Sequence, residues 1–143
     1  MYKLVRSTNN DIERLIEYKK ETILDYAGNI DKEEYNKIYN YIINNVKENI
    51  DNYYNIIIND NIAGCLLLSK KDDGMLLDEI FLEEQYRNKG IGTDILKNTV
   101  NEYNIVYLWV YKENKRAISL YKRLGFNIID ETETRYYMKY TRG

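Results

Sequence analysis

The 143-residue chain has no histidine and no proline, and cysteine occurs once, at Cys65. Without histidine there is no His-based catalytic triad, and nearly every zinc site goes with it, so no metal is expected. One cysteine forms no intrachain disulfide. Cys65 lies inside Ile62-Ala63-Gly64-Cys65-Leu66-Leu67-Leu68, which reads as a buried strand, so an inert core thiol is expected rather than a nucleophile. No apolar run approaches the roughly eighteen residues of a membrane helix, and the start Met1-Tyr2-Lys3-Leu4-Val5-Arg6 reads as too short and too mixed for a signal peptide, so none is expected. A cytoplasmic protein without membrane contact is expected. No basic block stands out, and the formal charge is −2, which argues against general nucleic-acid binding.

What is present is an ordinary globular composition, 44% hydrophobic and 31% charged, long enough for one domain over residues 1–143 with a real core. The sixteen tyrosines carry no functional reading as a group. Together with Asn, Ile and Lys they have A/T-rich codons, and a low-G+C genome accounts for all four.

The periodicity gives a definite order of elements. Residues 2–6 read as a strand. Thr8 or Asn9 caps a helix with apolar positions Ile12, Leu15, Ile16 and Ile23 that runs to about Tyr26, where Gly28-Asn29 breaks it. Asp31 opens a second helix on Tyr35, Ile38, Ile42, Val46 and Ile50. The period then changes: strands over 53–59 and 62–70 are joined at Asp60-Asn61, and Asp72-Asp73-Gly74 turns into a third over 75–82. A helix follows with Ile91, Ile95, Leu96, Val100 and Tyr103 inward. As a crossover it makes the strand over 105–110 parallel to that over 75–82. After a short helix from Asn114, residues 126–132 and 136–140 close the chain as a hairpin.

The most informative stretch is Gln85-Tyr86-Arg87-Asn88-Lys89-Gly90-Ile91-Gly92-Thr93, between a strand and a helix. A turn with two glycines and two basic residues exposes unpaired backbone N–H groups, and the helix dipole favours an anion there. Asn88 tolerates left-handed backbone, so Asn88-Lys89-Gly90 can wind into a nest of donors. The stretch is not a P-loop, which needs Gly-Lys-Ser/Thr. Nor is it the dinucleotide fingerprint, whose third glycine is replaced by Ile95.

A second constellation runs from Trp109 to Phe126. Asn114 suits a helix N-cap, Ala117, Leu120, Tyr121 and Leu124 fall on one face, and Gly125 stops the helix. On these residues alone Tyr121 is equally a core tyrosine, and Asn114 only a cap.

Together the two segments resemble the GNAT superfamily of N-acetyltransferases. Its Gln/Arg-x-x-Gly-x-Gly/Ala loop is matched by Arg87-Asn88-Lys89-Gly90-Ile91-Gly92, and its Asn-x-x-Ala-x-x-Leu-Tyr-x-x-x-Gly-Phe segment by Asn114 through Phe126. The motifs lie within residues 75–127, a little over a third of the chain. Glu84 stands where a proline is frequent and Asn88 where another glycine is, and neither removes a backbone donor. The element order β-α-α-β-β-β-α-β-α-β-β also resembles the superfamily's. It implies a mixed α/β fold whose mostly antiparallel central sheet contains one splayed parallel pair, with helices flanking it.

The resemblance implies acetyl-CoA as co-substrate and an amine acceptor. The pyrophosphate would sit on the backbone of Arg87, Asn88, Lys89, Gly90, Ile91, Gly92 and Thr93. The pantetheine would pair with the backbone of Ile80, Phe81 and Leu82, and Asn114 would contact it through its amide. A backbone N–H near Leu82 would polarise the thioester carbonyl, worth up to ~3 kcal/mol. Tyr121 would protonate the departing thiolate. That need is modest, because a thiol of pKa about 8.5 leaves readily, so the acid contributes only ~10²-fold.

An alkyl amine of pKa about 10 must lose a proton before it attacks. Glu79 is preferred over Asp78 as the base, the two pointing to opposite faces of their strand, and a mechanism without a side-chain base stays open. The acceptor pocket, usually shaped by the first two helices and the last hairpin, offers Tyr26, Asp25, Glu21 and Tyr136. The acidic balance favours a small cationic amine. The alternatives are a protein or peptide amine, a longer acyl donor, and a non-catalytic acyl-CoA-binding regulatory module. The chain is expected to be a monomer or a homodimer.

Overall fold

A computed structural model describes residues 1–143, except for the side chains of Asp25, Tyr26 and Ala27. The strands are β1 (Lys3–Arg6), β2 (Tyr53–Ile58), β3 (Asn61–Lys71), β4 (Gly74–Leu82), β5 (Ile105–Tyr111), β6 (Phe126–Glu131) and β7 (Arg135–Thr141). The helices are α1 (Ile12–Ala27), α2 (Lys32–Glu48), α3 (Ile91–Glu102) and α4 (Lys115–Arg123). The strands hydrogen-bond in the order β1-β2-β3-β4-β5-β7-β6, and the pairs β1–β2, β2–β3, β5–β7 and β6–β7 are antiparallel. β4 and β5 are parallel, as a crossover through α3 requires. Their register covers Met75 with Val106 and Leu76 with Tyr107, so the ladder is short. The expected mixed fold is therefore observed.

The chain divides into two compact units, Met1–Leu67 with Ile80–Tyr86, and Leu68–Glu79 with Arg87–Gly143. In the first, Leu15, Ile42, Val46, Tyr53, Cys65 and Leu67 are fully buried in one cluster with Tyr18 and Phe81. The expected core face of each helix is the one that packs, and Cys65 is a core thiol. Gly64 is required there by space, since a Cβ at that position would lie 1.9 Å from the Phe81 carbonyl oxygen.

The start of α1 departs from the simple expectation of one capped helix. Thr8 caps a single 3-10 turn (Asn9–Asp11) in a capping box with Asp11, and α1 follows from Ile12. Asp11 also binds Arg14 at 2.5 Å and accepts from buried Asn55 at 3.2 Å, while Ser7 donates to Asn55 at 2.8 Å. Burial works to raise the Asp11 pKa, but these donors outweigh it and hold the carboxyl below its usual value. The β2–β3 turn lies one residue earlier than Asp60-Asn61. Asn59 and Asp60 take φ of 50° and 65°, the left-handed pair that a two-residue hairpin needs and that Asn and Asp tolerate.

In the second unit α3 buries Ile95, Leu96, Thr99 and Val100, with Ile91 and Tyr103 only half-buried at its ends. Thr99 is admitted to the core because its hydroxyl donates to the Ile95 carbonyl at 2.8 Å. Val106, Leu108 and Val110 bury one face of β5. On the other, Tyr137 stacks on Trp109 at 4.4 Å and on Tyr107 at 5.4 Å. Arg135 stands over Trp109 and Lys139 over Tyr107. The closing hairpin folds back so that β7, not β6, pairs with β5.

Candidate active site

The loop after β4 is built to leave backbone donors unsatisfied. Asn88 and Gly90 have φ of 61° and 84°, so the chain turns left-handed twice before α3 begins. Gly90 is the N-cap of α3 and no side chain caps the helix. The first intrahelical bond there runs from Asp94 N–H to the Gly90 carbonyl at 3.0 Å, so Ile91, Gly92 and Thr93 precede it with no intrahelical acceptor. Residues 87–90 are exposed. A Cβ built at Gly90 or Gly92 meets nothing within 4 Å, so the surface over the helix start is open. Backbone donors, the positive helix end and the Arg87 and Lys89 side chains fit a pyrophosphate.

In the same unit Asn114 caps α4, its Oδ1 accepting from Ala117 N–H at 3.1 Å. The oxygen serves as the cap, and the amide nitrogen is the side chain's donor. Tyr121, on α4, is half-buried and tilted 56° against buried Phe126 at 5.9 Å. Asp78 and Glu79 do alternate along β4. Asp78 is exposed, whereas Glu79 is 9% exposed and shares its side of the strand with buried Leu77 and Phe81.

In the first unit Phe81 and Glu21 line one cavity of about 350 Å³. Its wall also contains Glu17, Tyr18, Glu83 and Glu84, with Lys20 as the lone cation among the described lining residues. The Tyr18 ring stacks on Phe81 at 4.4 Å, and its hydroxyl donates to the Glu83 carboxylate. Burial, and then that bond, push the Tyr18 hydroxyl above the usual tyrosine range, so it stays a donor. Lys20 lies 3.7 Å from Glu17 and stands over the Tyr39 ring.

Tyr18, Glu17 and Glu83 were not among the residues singled out by sequence. Tyr18 and Glu83 are 65 positions apart, and only the available clue of two carboxylates directly after β4 pointed to the site. Tyr26 and Asp25 lie outside the described side chains. Tyr136 is in β7, in the second unit, with Lys112 over its ring, and is not among the described residues that line this cavity. Among the described residues no group of three or more His, Cys, Asp or Glu is placed to hold a metal. No helix among them is long and apolar enough to cross a membrane.

A strand running into a glycine-opened, uncapped helix, then a parallel strand and a short Asn-capped helix, is the arrangement of an acetyltransferase fold. The chain belongs to the acetyltransferase (GNAT) family, whose model matches residues 15–126. An uncharacterized N-acetyltransferase of Methanocaldococcus jannaschii is 46% identical over 56 residues, 35% of this chain and 24% of that protein. The spermine/spermidine N(1)-acetyltransferase of Bacillus subtilis is 32% identical over 69 residues, 44% of this chain and 45% of the relative. The chain thus spans between a quarter and about half the length of these curated relatives. Among solved structures, the PaiA N-acetyltransferase of Thermoplasma acidophilum in complex with coenzyme A superposes with a TM-score of 0.72 over 99% of both chains, at 20% identity. That likeness is one of fold.

Proposed function

We propose that this chain is an acyl-CoA-dependent N-acetyltransferase that transfers an acetyl group to a primary amine of a small cationic acceptor in a ternary complex. The observation that carries the reading is the uncapped start of α3, combined with the family match across it. The donors of residues 87–93 hold the pyrophosphate, the backbone of Ile80, Phe81 and Leu82 pairs with the pantetheine, and the Asn114 amide adds a contact. Glu79 takes the proton from the acceptor ammonium, directly or through water, with exposed Asp78 the less favoured base. The freed nitrogen forms its bond to the acetyl carbonyl carbon, the carbon–sulfur bond breaks and Tyr121 gives the leaving sulfur its proton, while the nitrogen, on becoming an amide, releases its second proton to water, from which the Tyr121 hydroxyl is restored. The first unit's acidic cavity supports a cationic acceptor, as does the acceptor in the Bacillus relative's name. Glu21 is in that cavity.

Calorimetry with acetyl-CoA, on the wild type and on Gly92→Asp, tests the cofactor site, and a panel of amines assayed for released CoA tests transfer. Binding lost in the variant and CoA release with an amine are the expected results. Absence of binding by the folded wild type sinks the assignment; binding without turnover on any amine points instead to an acyl-CoA-binding module.

A further inference from the structure

The cavity of the first unit carries more than general acidity. Glu83 is half-buried, and both its oxygens are already held: Oε2 accepts from the Tyr18 hydroxyl, and Oε1 from the Gln85 amide at 3.4 Å. Its backbone is pinned too, the N–H donating to the Ala63 carbonyl at 2.8 Å. Both side-chain donors are neutral, and among the described residues no ion pair joins Glu83. The carboxylate is fixed in place by neutral donors, and each oxygen keeps acceptor capacity. Lys20, the nearby cation, is drawn to Glu17. Beside Glu83 the Tyr18 and Phe81 rings, stacked on each other, reach the cavity wall and give it an apolar surface for methylenes.

The proposed reaction restricts what such a carboxylate can hold. The nitrogen that attacks has to be neutral, so a carboxylate binding it as an ammonium opposes the step it serves. A positive charge that persists from binding through the transition state must be a second one, on a part of the acceptor that does not react, where its binding energy raises kcat/KM. We infer that the cavity selects acceptors with a second, non-reacting ammonium joined to the reacting amine by an alkyl chain, with Glu83 holding that ammonium beside the Tyr18–Phe81 stack. This rests on the acetyltransferase reading and adds its substrate class and a specificity-determining residue. Tyr18 is a positioning residue, acting through Glu83.

The test compares 1,4-diaminobutane with butylamine as acceptors, reading kcat/KM from CoA release for the wild type, Glu83→Gln and Tyr18→Phe. Calorimetric acetyl-CoA binding is measured on all three. The wild type is expected to prefer the diamine by about ten- to a hundredfold, the scale of a charge-assisted hydrogen bond. Glu83→Gln, which keeps an acceptor for Tyr18, should bring the ratio towards one. Tyr18→Phe keeps the ring stack and should lower the ratio partly, through KM more than kcat. A wild type that binds acetyl-CoA but shows no preference, or acetylates neither amine, overturns the inference while leaving the cofactor site standing. An equal loss on both amines in Glu83→Gln, with the ratio unchanged, also overturns it and makes Glu83 a proton acceptor. Failure of the wild type to bind acetyl-CoA overturns the acetyltransferase reading itself.

Discussion

Helices α3 and α4 solve the same problem in opposite ways. Every helix begins with N–H groups that have no partner in the helix. At α4 the Asn114 side chain supplies one acceptor from within the chain. At α3 the cap is Gly90, which has no side chain to offer, and the turn before it is left-handed and exposed. One end is closed by a side chain and the other is left open, which is where the proposed function puts the pyrophosphate. Asp31 caps α2 in the same internal way, and Thr8 caps the 3-10 turn that runs into α1, whose own N-cap Asp11 makes no capping bond. Helix α3 differs in opening on a left-handed glycine with no such capped turn running into it. Local stability and ligand recognition compete for the same backbone donors, and the sequence chooses between them at one position per helix.

The largest expected effect breaks the open end. Gly92→Asp places a carboxylate where nothing obstructs it and where a helix start favours negative charge, so the fold should survive or gain slightly. Acetyl-CoA binding should fall by about a hundredfold or more from repulsion of the phosphates, a loss of ~2.7 kcal/mol read by calorimetry. The milder Gly92→Ala should raise the melting temperature, by ~0.4–1 kcal/mol of stability, while weakening binding modestly. A variant that became both more stable and a better binder would contradict the contrast.

Tyr121→Phe is expected next. It keeps the ring against Phe126 and removes the hydroxyl proposed as the proton donor, so kcat should fall by ~10²-fold with acetyl-CoA affinity preserved. For the base, Glu79→Gln should reduce kcat/KM most at pH values below the amine's pKa, where a proton still has to be removed. An unchanged pH profile would pass the role to Asp78 or to water.

At the closed end the capping bond of Asn114 and its proposed contact to the pantetheine can be separated. Asn114→Ala should cost about 1 kcal/mol of stability through the lost cap. Asn114→Asp keeps the capping oxygen and loses the amide donor, so it should melt near the wild type and still bind acetyl-CoA less well. Equal losses of stability in both variants would show that the cap is not what the Oδ1 atom provides.

The smallest effect concerns the turn between β3 and β4. Tyr107 donates to Asp73 at 2.6 Å; that bond, with burial, pushes the Tyr107 pKa up to about 12, and the same bond holds Asp73 below its usual value. A raised tyrosine pKa contributes stability that is whole below pH 10 and lost as pH rises through about 12. Tyr107→Phe should flatten the decline of stability over that window. Spectrophotometric titration should show one fewer late-ionising tyrosine.

Much of the fold was legible because its signals are local. The helix caps at Asp31 and Asn114, the change of period after Ile50, and the glycines of the α3 loop each act within a few residues. The errors were also local in cause. The β2–β3 turn shifted by one residue because Asn59 and Asp60 both accept left-handed backbone as readily as Asp60 and Asn61 would. Thr99 is a core position that the apolar period does not mark, because its polarity hides the bond to Ile95 that allows burial.

The sequence by itself determined that one helix opens on glycine with basic neighbours, and that another is capped by asparagine and carries Tyr121. Those are properties of adjacent residues, written in backbone sterics and side-chain reach. Only the tertiary structure decided that Tyr18 meets Phe81 and Glu83, that Glu79 rather than Asp78 is the buried carboxylate, and that four glutamates share one cavity. The physical reason is range. Hydrogen bonds that cap a helix join residues three apart, whereas the Tyr18–Glu83 pair closes a loop of 65 residues, and no local pattern records which distant partner the packing will supply.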